Sequence, residues 1–202
     1  MKALLLDLWK SVALTLVFAV LLCGAYPLAV WAGAQLLFPA KANGSLVLDK
    51  DGTVRGSTLL AQNFSSDKYF QPRASAAGTG YDATSSSGTN LGPTSQKLSD
   101  SVKAAAIAYR AANGLATDAP VPADAVTSSG SGLDPHISLA NARLQAARVA
   151  KARSLPIEKV EGFMAASIDR QDLGFIGEAG VNVLRLNLAL DAAGVEPAAP
   201  GK

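Results

Sequence analysis

The segment Asp134-Pro-His-Ile-Ser138 carries the residues best suited to acid–base chemistry. His136 is the only histidine in the chain, and Asp134 is close enough in sequence to pair with it. A catalytic triad also needs a nucleophilic serine, and the sequence has no Gly-x-Ser-x-Gly elbow to supply one. A metal site would need more nitrogen or sulfur ligands than one histidine offers. The pattern predicts a hydrogen-bonded loop histidine, with no catalytic residue and no metal site.

A second group of polar residues lies on a basic stretch from Leu139 to about Ser154. It contains Arg143, Arg148, Lys151 and Arg153 and no acidic residue. A solvated helix face is one interpretation. In the other, Gln145 and Arg148, three residues apart, jointly contact an anionic or polar partner.

Two further segments resemble ligand-binding loops but lack key residues. Asp49 and Asp51 resemble the start of a calcium loop, yet the remaining ligands are missing at the required spacing. Turn chemistry is the better interpretation, with Gly52 at a positive φ in a hairpin. The Gly/Ser-rich tract 78–94 has no Lys-Ser/Thr ending and is therefore no phosphate-binding loop.

The elements that must position these residues indicate an α+β domain. A hairpin is predicted from Ser45 to Arg55, and helices are predicted at 94–112, at 139–154 and from Pro156 to about 168. Leu139, Ala142, Ala146, Val149 and Ala150 form an apolar stripe on the middle helix, with Asn141, Gln145 and Arg148 on another face. The sequence 181–186 predicts a strand, and 188–193 predicts a short terminal helix.

The N-terminal region predicts a membrane anchor. No charged residue occurs from Ser11 to Ala40, and about 20 apolar residues cross a bilayer. Ala32-Gly33-Ala34 fits a signal-peptidase site, but the apolar run before it is longer than a signal peptide needs. Gly24 and Pro27 predict a kink. The predicted organisation is an N-terminal tail at 1–10, one transmembrane helix at 11–38, one mixed α/β domain at 39–194 and a flexible tail at 195–202.

Charge and cysteine content narrow the class of protein but leave the orientation open. Acids and bases are scattered and nearly cancel, which excludes the concentrated basic face of a nucleic-acid-binding protein. The single cysteine, Cys23, lies in the apolar run, so the domain contains no internal disulfide. Lysines flank both ends of the run and make the positive-inside rule ambiguous. The short N-terminal tail favours a cytoplasmic N-terminus and an external domain.

The segment from Phe64 to Ser95 combines aromatic residues with a Ser/Thr/Gly/Asn tract. A flexible linker is the simplest interpretation, but Phe64, Tyr69, Phe70 and Tyr81 supply apolar area that linkers rarely carry. We therefore expect an ordered loop that wraps the domain or docks a partner.

Several segments, in order, resemble the KdpC subunit family of the bacterial Kdp potassium-transporting P-type ATPase. They are Gly56-Ser57, Ala61–Phe64, Tyr69–Ala77, Gly80-Tyr81, Ser87–Pro93, Pro120–Asp124, Ser131–Ser138, Gln145, Arg148–Arg153 and Val181–Asn187. The match runs from the anchor to about Gly194. The family usually has Arg-Pro-Ser-Ala where this chain has Pro72-Arg73-Ala74-Ser75, which weakens roles assigned to those side chains.

The resemblance implies a non-catalytic subunit of a bacterial membrane complex that hydrolyses ATP to import potassium. Together with the external domain that the short N-terminal tail favours, this predicts an inner-membrane protein with a periplasmic domain. Its partners would be a channel-like potassium-binding subunit and a P-type ATPase subunit, and it would act as a catalytic chaperone that raises ATP affinity. Gln145 matches a family glutamine proposed to take part in ATP binding. An external domain cannot reach cytosolic ATP, so we expect an indirect effect through protein contacts.

The docking candidates that follow from the resemblance come from the 64–95 loop, the Asp134–Ser138 segment and the basic helix. They are Phe64, Tyr69, Phe70, Arg73, Tyr81, Asn90, Asp134, His136, Ser138 and Arg148. Two other classes of protein stay open, a membrane-anchored external enzyme and an independent anchored binding module.

Overall fold

The computed structural model describes residues 1–49 and 51–194. Lys50 and the predicted flexible tail at 195–202 lie outside the described residues. The chain divides into two compact units, one from Met1 to Ser57 and a second from Thr58 onward. One long apolar helix precedes a mixed helix and sheet domain, which confirms the α+β prediction.

The first unit begins with a helical run from Lys2 to Leu37, whose most apolar 18-residue stretch has a mean hydropathy of 2.2 and is not buried inside the protein. It consists of α1 (Lys2–Val20), a π-helical turn (Leu21–Ala25) and α2 (Tyr26–Leu37). The predicted N-terminal tail is thus helical from Lys2. At about 1.5 Å per residue, the run is longer than a bilayer core requires.

The π-helical turn ends at Ala25, two residues before Pro27. Proline has no amide hydrogen, so the carbonyl group of Cys23 loses its usual partner four residues on. A π-helical turn accommodates such a break without ending the helix. The irregularity predicted around Gly24 and Pro27 therefore takes the form of a local widening of the helix.

The rest of the first unit is a short helix and a hairpin. Helix α3 (Pro39–Ala42) leads to β1 (Leu46–Leu48), which pairs antiparallel with β2 (Val54–Ser57). Gly52 has φ +82°, as predicted for the turn. The backbone N–H of Thr53 donates to Asp51 Oδ1 at 3.1 Å, and Arg55 Nε donates to Asp49 Oδ2 at 3.0 Å. Both aspartates serve the turn, in agreement with the turn interpretation.

From Thr58 to Gly194, the second unit combines short strands with five helices. Strand β5 lies between β3 and β4 and is antiparallel to both. The elements are α4 (Gln96–Asn113), α5 (Ala123–Val126), β3 (His136–Ile137), α6 (Leu139–Arg153), α7 (Ile157–Ala166), β4 (Ile168–Asp169), β5 (Gly180–Asn182) and α8 (Val183–Gly194). The core packs the apolar stripe of α6 against α7, α8 and β5, with Phe70 from the loop.

Helix ends follow the local sequence rules closely. Ser95 and Ser138 cap α4 and α6 through their side-chain oxygens, and Gly114 ends α4 in the left-handed conformation at φ +65°. Helix α7 ends before the predicted residue 168 because Ile168 pairs with Val181 in the sheet.

The predicted strand at 181–186 is wrong beyond Asn182. Helix α8 begins at Val183, because Asn182 Oδ1 accepts a hydrogen bond from the N–H of Arg185 at 3.1 Å. This bond is the contact made by a helix N-cap. The buried residues of α8 also recur at helical spacing: Val183, Leu184, Leu186, Asn187 and Leu190.

The segment 58–95 has no helix or strand, yet it packs closely on its own domain. Phe70 and Ala77 are fully buried, and Phe64 lies against the core cluster. The expectation of an ordered loop that wraps the domain is confirmed. The interpretation as a flexible linker is wrong.

Candidate functional site

Two buried amide side chains hold the aromatic loop onto the helices. The N–H of Phe70 donates to Asn187 Oδ1 at 2.8 Å, and Asn187 Nδ2 donates to the carbonyl of Phe70 at 2.9 Å. The N–H of Gln71 donates to Gln145 Oε1 at 2.7 Å, and Gln145 Nε2 donates to the carbonyl of Gln71 at 3.1 Å. Both amides thus pair with the backbone as a neighbouring strand would. We call this set the amide lock.

Gln145 uses all its hydrogen-bonding positions inside the domain. Its Nε2 also donates to Asn141 Oδ1 at 2.9 Å, and its Oε1 also accepts from Arg148 Nη2 at 2.8 Å. An amide has two donors and two lone pairs, so these four bonds satisfy the group completely. The side chain is 1% exposed. In this structure Gln145 has no free edge to offer a nucleotide.

Helix α6 is consequently buried on two faces rather than one. The predicted polar face contains Asn141 and Gln145, and both are fully buried. The loop covers this face: Arg148 Nη1 donates to the carbonyls of Asp67 and Tyr69, at 2.6 and 3.1 Å. Burial lowers the pKa of Arg148, and the charge of Asp67 opposes that effect. The interpretation of the basic stretch as a solvated face holds for its exposed members, such as Arg143 and Lys151, which lie away from Asn141 and Gln145.

A groove of about 530 Å³ lies beside Arg148, between the end of α4 and the C-terminal half of α6. Its polar lining residues include Asp67, Asn113 and Lys151. Arg148 is held there by Asn113, whose Oδ1 accepts from Arg148 Nε at 3.0 Å. All three guanidinium nitrogens of Arg148 therefore donate hydrogen bonds within the domain.

Ser138 belongs to a cluster at the start of α6 around Asp124. The N–H and the hydroxyl of Ser138 both donate to Asp124, at 2.8 and 2.9 Å. Asn141 Nδ2 donates to Asp124 Oδ2 at 3.0 Å, and Tyr109 donates through its hydroxyl to Asn141 Oδ1 at 2.8 Å. Burial, together with the charge of Asp124, raises the pKa of Tyr109. The cluster explains Ser138 as a cap and a loop tether.

His136 lies between two carboxylates in a cluster of five charged residues. Its Nε2 is 2.7 Å from Asp169 Oδ2, and its Nδ1 is 3.7 Å from Asp134 Oδ1. Arg73 pairs with Asp134 at 3.1 Å, and Arg185 pairs with Asp169. We call these residues the charged cluster. Both ring nitrogens of His136 face acids, so neither is placed to activate a serine.

Within the charged cluster, the pKa of His136 is raised and the pKa values of Asp134 and Asp169 are lowered. The hydrogen bond with Asp134 raises the pKa of His136, burial opposes it, and Asp169 reinforces it. For Asp134, burial raises the pKa, but hydrogen bonds from His136 and Arg73 outweigh it and lower the value. For Asp169, burial is likewise outweighed by Arg185 and His136. The protonated imidazole is the form that the cluster favours.

The aromatic docking candidates are largely used within the domain. Phe70 is fully buried, so the prediction that its side chain docks a partner is wrong. Tyr69 donates through its hydroxyl to Asp191 at 3.1 Å, and its ring packs against Phe64 with centroids 5.2 Å apart. The hydroxyl of Tyr81 donates to the carbonyl of Arg73 at 2.9 Å. These contacts orient the loop.

The remaining docking candidates differ in exposure. Asn90 is exposed and has φ +54°, while the others keep a half-buried edge at the surface. Over residues 1–49 and 51–194, no three His, Cys, Asp or Glu side chains converge in a way that could hold a metal ion.

Sequence reasoning missed several residues that organise these clusters: Asn113, Asp124, Asp169, Arg185 and Asn187. Asn187 carried a readable signal, because an asparagine between Leu186 and Leu190 at helical spacing is a buried amide in need of partners. The identity of those partners was not readable, since Phe70 is 117 residues away.

Helix, fold and clusters together define a class: a membrane-anchored α+β domain whose polar groups mainly hold its own loops. The family model described as "K+-transporting ATPase, c chain" matches residues 8–192. The chain therefore belongs to the KdpC family.

Curated relatives agree with the family match over most of the chain. The potassium-transporting ATPase KdpC subunit of Mycobacterium tuberculosis strain H37Rv is 54% identical over 185 residues, covering 92% of this chain and 97% of the relative. The KdpC subunit of Nitratidesulfovibrio vulgaris is 53% identical over 184 residues, covering 91% and 92%. That of Caulobacter sp. strain K31 is 56% identical over 175 residues, covering 87% and 88%.

Proposed function

We propose that this chain is a non-catalytic accessory subunit of an ATP-driven potassium uptake complex. It stabilises the assembly and raises the ATP affinity of the P-type ATPase subunit without contacting ATP itself. Family membership supports its place in the complex. The carboxylates facing both ring nitrogens of His136 support a non-catalytic role.

The indirect mechanism rests on the burial and the complete hydrogen bonding of the Gln145 side chain. The side chain is buried, and its two donors and two acceptor positions are all engaged inside the domain. Contact with a nucleotide would require the loop backbone at Gln71 to be released first. An effect on ATP affinity therefore passes through contacts with the channel-like subunit, which bias the conformations of the pump.

A comparison of complexes with and without this chain tests the proposal. The remaining subunits, reconstituted without it, should show a raised KM for ATP and a similar turnover at saturating ATP. An ATP analogue with a photoreactive azide should label the P-type ATPase subunit and leave this chain unlabelled. An unchanged KM would refute the affinity effect, and labelling of this chain near Gln145 would refute the indirect route.

The proposal places the N-terminus in the cytoplasm and the domain on the outer face of the plasma membrane. The engaged hydrogen-bonding positions of Gln145 are compatible with this orientation, because a domain on the outer face needs no contact with cytosolic ATP. In a Cys23→Ser background, Ala40→Cys and Ala104→Cys introduce single exposed thiols after the helix and on α4. A membrane-impermeant maleimide should label both in intact cells. Labelling only after permeabilisation would place the domain in the cytosol and leave ATP within its reach.

Within this orientation, the 64–95 loop and the Asp134–Ser138 segment face the channel-like subunit near its external potassium entrance. Tyr69→Phe removes the half-buried hydroxyl that donates to Asp191, and His136→Gln replaces the half-buried imidazole between two carboxylates, each with little change in side-chain size. Each should lower the potassium-dependent ATPase activity of the assembled complex. Full activity in both variants, with assembly intact, would remove these segments from the docking surface.

A further inference from the structure

The last turn of the long apolar helix is tied to the segment that leads into the hairpin by a reciprocal amide pair. Asn43 Nδ2 donates to Gln35 Oε1 at 3.2 Å, and Gln35 Nε2 donates to Asn43 Oδ1 at 3.4 Å. The N–H of Ser45 then donates to the carbonyl of Ala40 at 2.9 Å. The chain therefore folds back beside the end of the helix before the hairpin begins.

The length of the helix places this amide pair at the surface of a bilayer. Lys10 is the last charged residue before the apolar run, and the 27 residues from Ser11 to Leu37 extend about 40 Å at about 1.5 Å per residue. A bilayer measures about 40–45 Å with its headgroup regions. With Lys10 in one headgroup region, Gln35 lies in the other. Leu46 follows Asn43 by three residues, which reach at most about 11 Å, so the hairpin begins near the depth of the headgroups.

One face of the hairpin is apolar and open. Leu46 and Leu48 alternate with Val47 along β1 and therefore share a face, and Leu48 pairs directly with Val54 of β2, which adds Val54 to that face. The three side chains are 52%, 59% and 54% exposed. Strands β1 and β2 form a sheet of only two strands, and an isolated hairpin of this size is at best marginally stable in water. A surface that covers this face would stabilise the hairpin.

Phospholipid is the surface that continues from the helix to the hairpin. Leu37 and Phe38, at the end of the helix, are 72% and 58% exposed and extend the apolar surface along the chain toward β1. The segment 38–57 contains three basic and two acidic residues, so its net charge suits a phospholipid surface. Lys41 is exposed in α3, where its methylene stem reaches apolar groups while its ammonium group stays among headgroups. At this depth water still satisfies the open strand edges, which the hydrocarbon core would not.

We propose that the hairpin face formed by Leu46, Leu48 and Val54 contacts the boundary between headgroups and acyl chains where the helix leaves the membrane. The amide pair of Gln35 and Asn43 holds the hairpin at this depth, since it joins the last helical turn to the start of the hairpin. This inference goes beyond the proposed function, because it needs only that the helix crosses a bilayer and it holds for either orientation of the domain.

Spin labels on the hairpin test the lipid contact. In the full chain with Cys23→Ser, a nitroxide is attached to Leu48→Cys or to Val54→Cys, and each labelled chain is assembled with the other ATPase subunits in vesicles of phosphatidylcholine and phosphatidylglycerol. The matched control is Ile107→Cys, a similarly exposed apolar position on α4. Collisions of each label with oxygen, which concentrates in lipid, are compared with collisions with a water-soluble nickel chelate. The ratio of oxygen to nickel collisions should be several-fold higher at both hairpin positions than at the control.

The same measurement distinguishes lipid from water and from protein. A collision ratio equal to that of the control would place the face in water and overturn the proposal. Low accessibility to both reagents would show that protein covers the face, and this result would also overturn it. The labelled chain alone, in the same vesicles, should give the same high ratio, because the partner is the lipid and not another subunit. Agreement between the two label positions excludes a local disturbance by either substitution.

Asn43→Ala tests the positioning role of the amide pair. With this change, the label at position 48 should become more mobile and its ratio of oxygen to nickel collisions should fall. The matched control Asn63→Ala, at an exposed asparagine of the second unit, should leave the spectrum unchanged. An unchanged spectrum in Asn43→Ala would refute the pair as the contact that positions the hairpin. These spectra are independent of the KM for ATP measured with and without the chain, so failure of the lipid contact and failure of the affinity effect are distinguishable.

Discussion

The amide lock and the charged cluster both attach loops to the helical core, but they do so by opposite physical means. The lock uses neutral side chains, Asn187 and Gln145, which are fully buried and pair with the loop backbone. The charged cluster uses ionised side chains that are about 25–42% exposed. Buried amides without partners are costly, whereas partly exposed ion pairs contribute little and respond to pH and salt. The amide lock should therefore contribute most of the stabilisation, and the charged cluster should make the free energy of unfolding depend on pH and salt.

The largest expected effect comes from Asn187→Leu. The leucine fills a similar volume but leaves the N–H and the carbonyl of Phe70 buried without partners. Each unpaired group costs about 1–3 kcal/mol, so the free energy of unfolding should fall by about 3–4 kcal/mol. Urea unfolding of the full chain in detergent, followed by circular dichroism, measures this loss. Hydrogen exchange at the amide of Phe70 should also accelerate.

The matched control for this variant is Asn63→Leu, at an exposed asparagine of the segment 58–95. A surface substitution of this kind should change stability by less than about 0.5 kcal/mol. Equal losses in the two variants would show that burial of the amide is not what matters.

Gln145→Met should have the next largest effect, a loss of about 2–3 kcal/mol. Methionine has nearly the same length but cannot pair with Gln71, Asn141 or Arg148. The expected loss is smaller than for Asn187 because Gln71 and Arg148 are half-buried and gain partial access to water. The control is Gln96→Met at an exposed position of α4, and urea unfolding again measures both. A near-neutral Gln145→Met would contradict the role of the lock and make a ligand-binding role for Gln145 more attractive.

The charged cluster should produce a small, pH-dependent effect. Asp134 and Asp169 raise the pKa of His136 above its ordinary value of 6.5. The folded state therefore holds this proton more tightly, and the stabilisation is complete below pH 6.5 and lost as the pH rises through the folded pKa. Wild type should lose about 0.5–1 kcal/mol between about pH 6 and pH 8.5, a small value because the cluster is partly exposed.

His136→Gln should remove this slope, which a series of urea unfolding curves across that pH range would show. The lowered pKa values of Asp134 and Asp169 act in another window, because their contribution is lost only as the pH falls below the ordinary carboxyl value of 3.8. A slope that persists in the variant would assign the titration to a different group.

The parts of the fold that follow local rules could be predicted from the sequence. The Ser138 cap, the apolar stripe of α6 and the Gly52 turn each depend on residues within one or two turns of chain. The strand predicted through residue 186 was wrong because a short run rich in valine and leucine suits a strand, whereas the side chain of Asn182 starts a helix. Local composition did not reveal which of the two would prevail.

The clusters could not be predicted because their partners are far apart in sequence. Asn187 meets Phe70 across 117 residues, and Gln145 meets Gln71 across 74. A single sequence shows that a polar residue lies in an apolar run, but it does not show which backbone groups need a partner. For the same reason, a glutamine beside an arginine on a basic helix suggested an anion-binding pair, whereas both side chains hold the aromatic loop.

Ionic strength should distinguish the charged cluster from the amide lock, although the change in stability is the smallest expected here. Raising the salt concentration from about 0.1 M to about 1 M shortens the Debye length from about 10 Å to about 3 Å. The stability difference between wild type and His136→Gln at about pH 6 should then shrink by a few tenths of a kcal/mol, because the pairs with Asp134 and Asp169 are open to solvent. The difference for Asn187→Leu should stay constant, since a neutral buried hydrogen bond is not screened. If both differences shrank together, the lock would depend on nearby charges such as Arg148, and the separation of the two regions would fail.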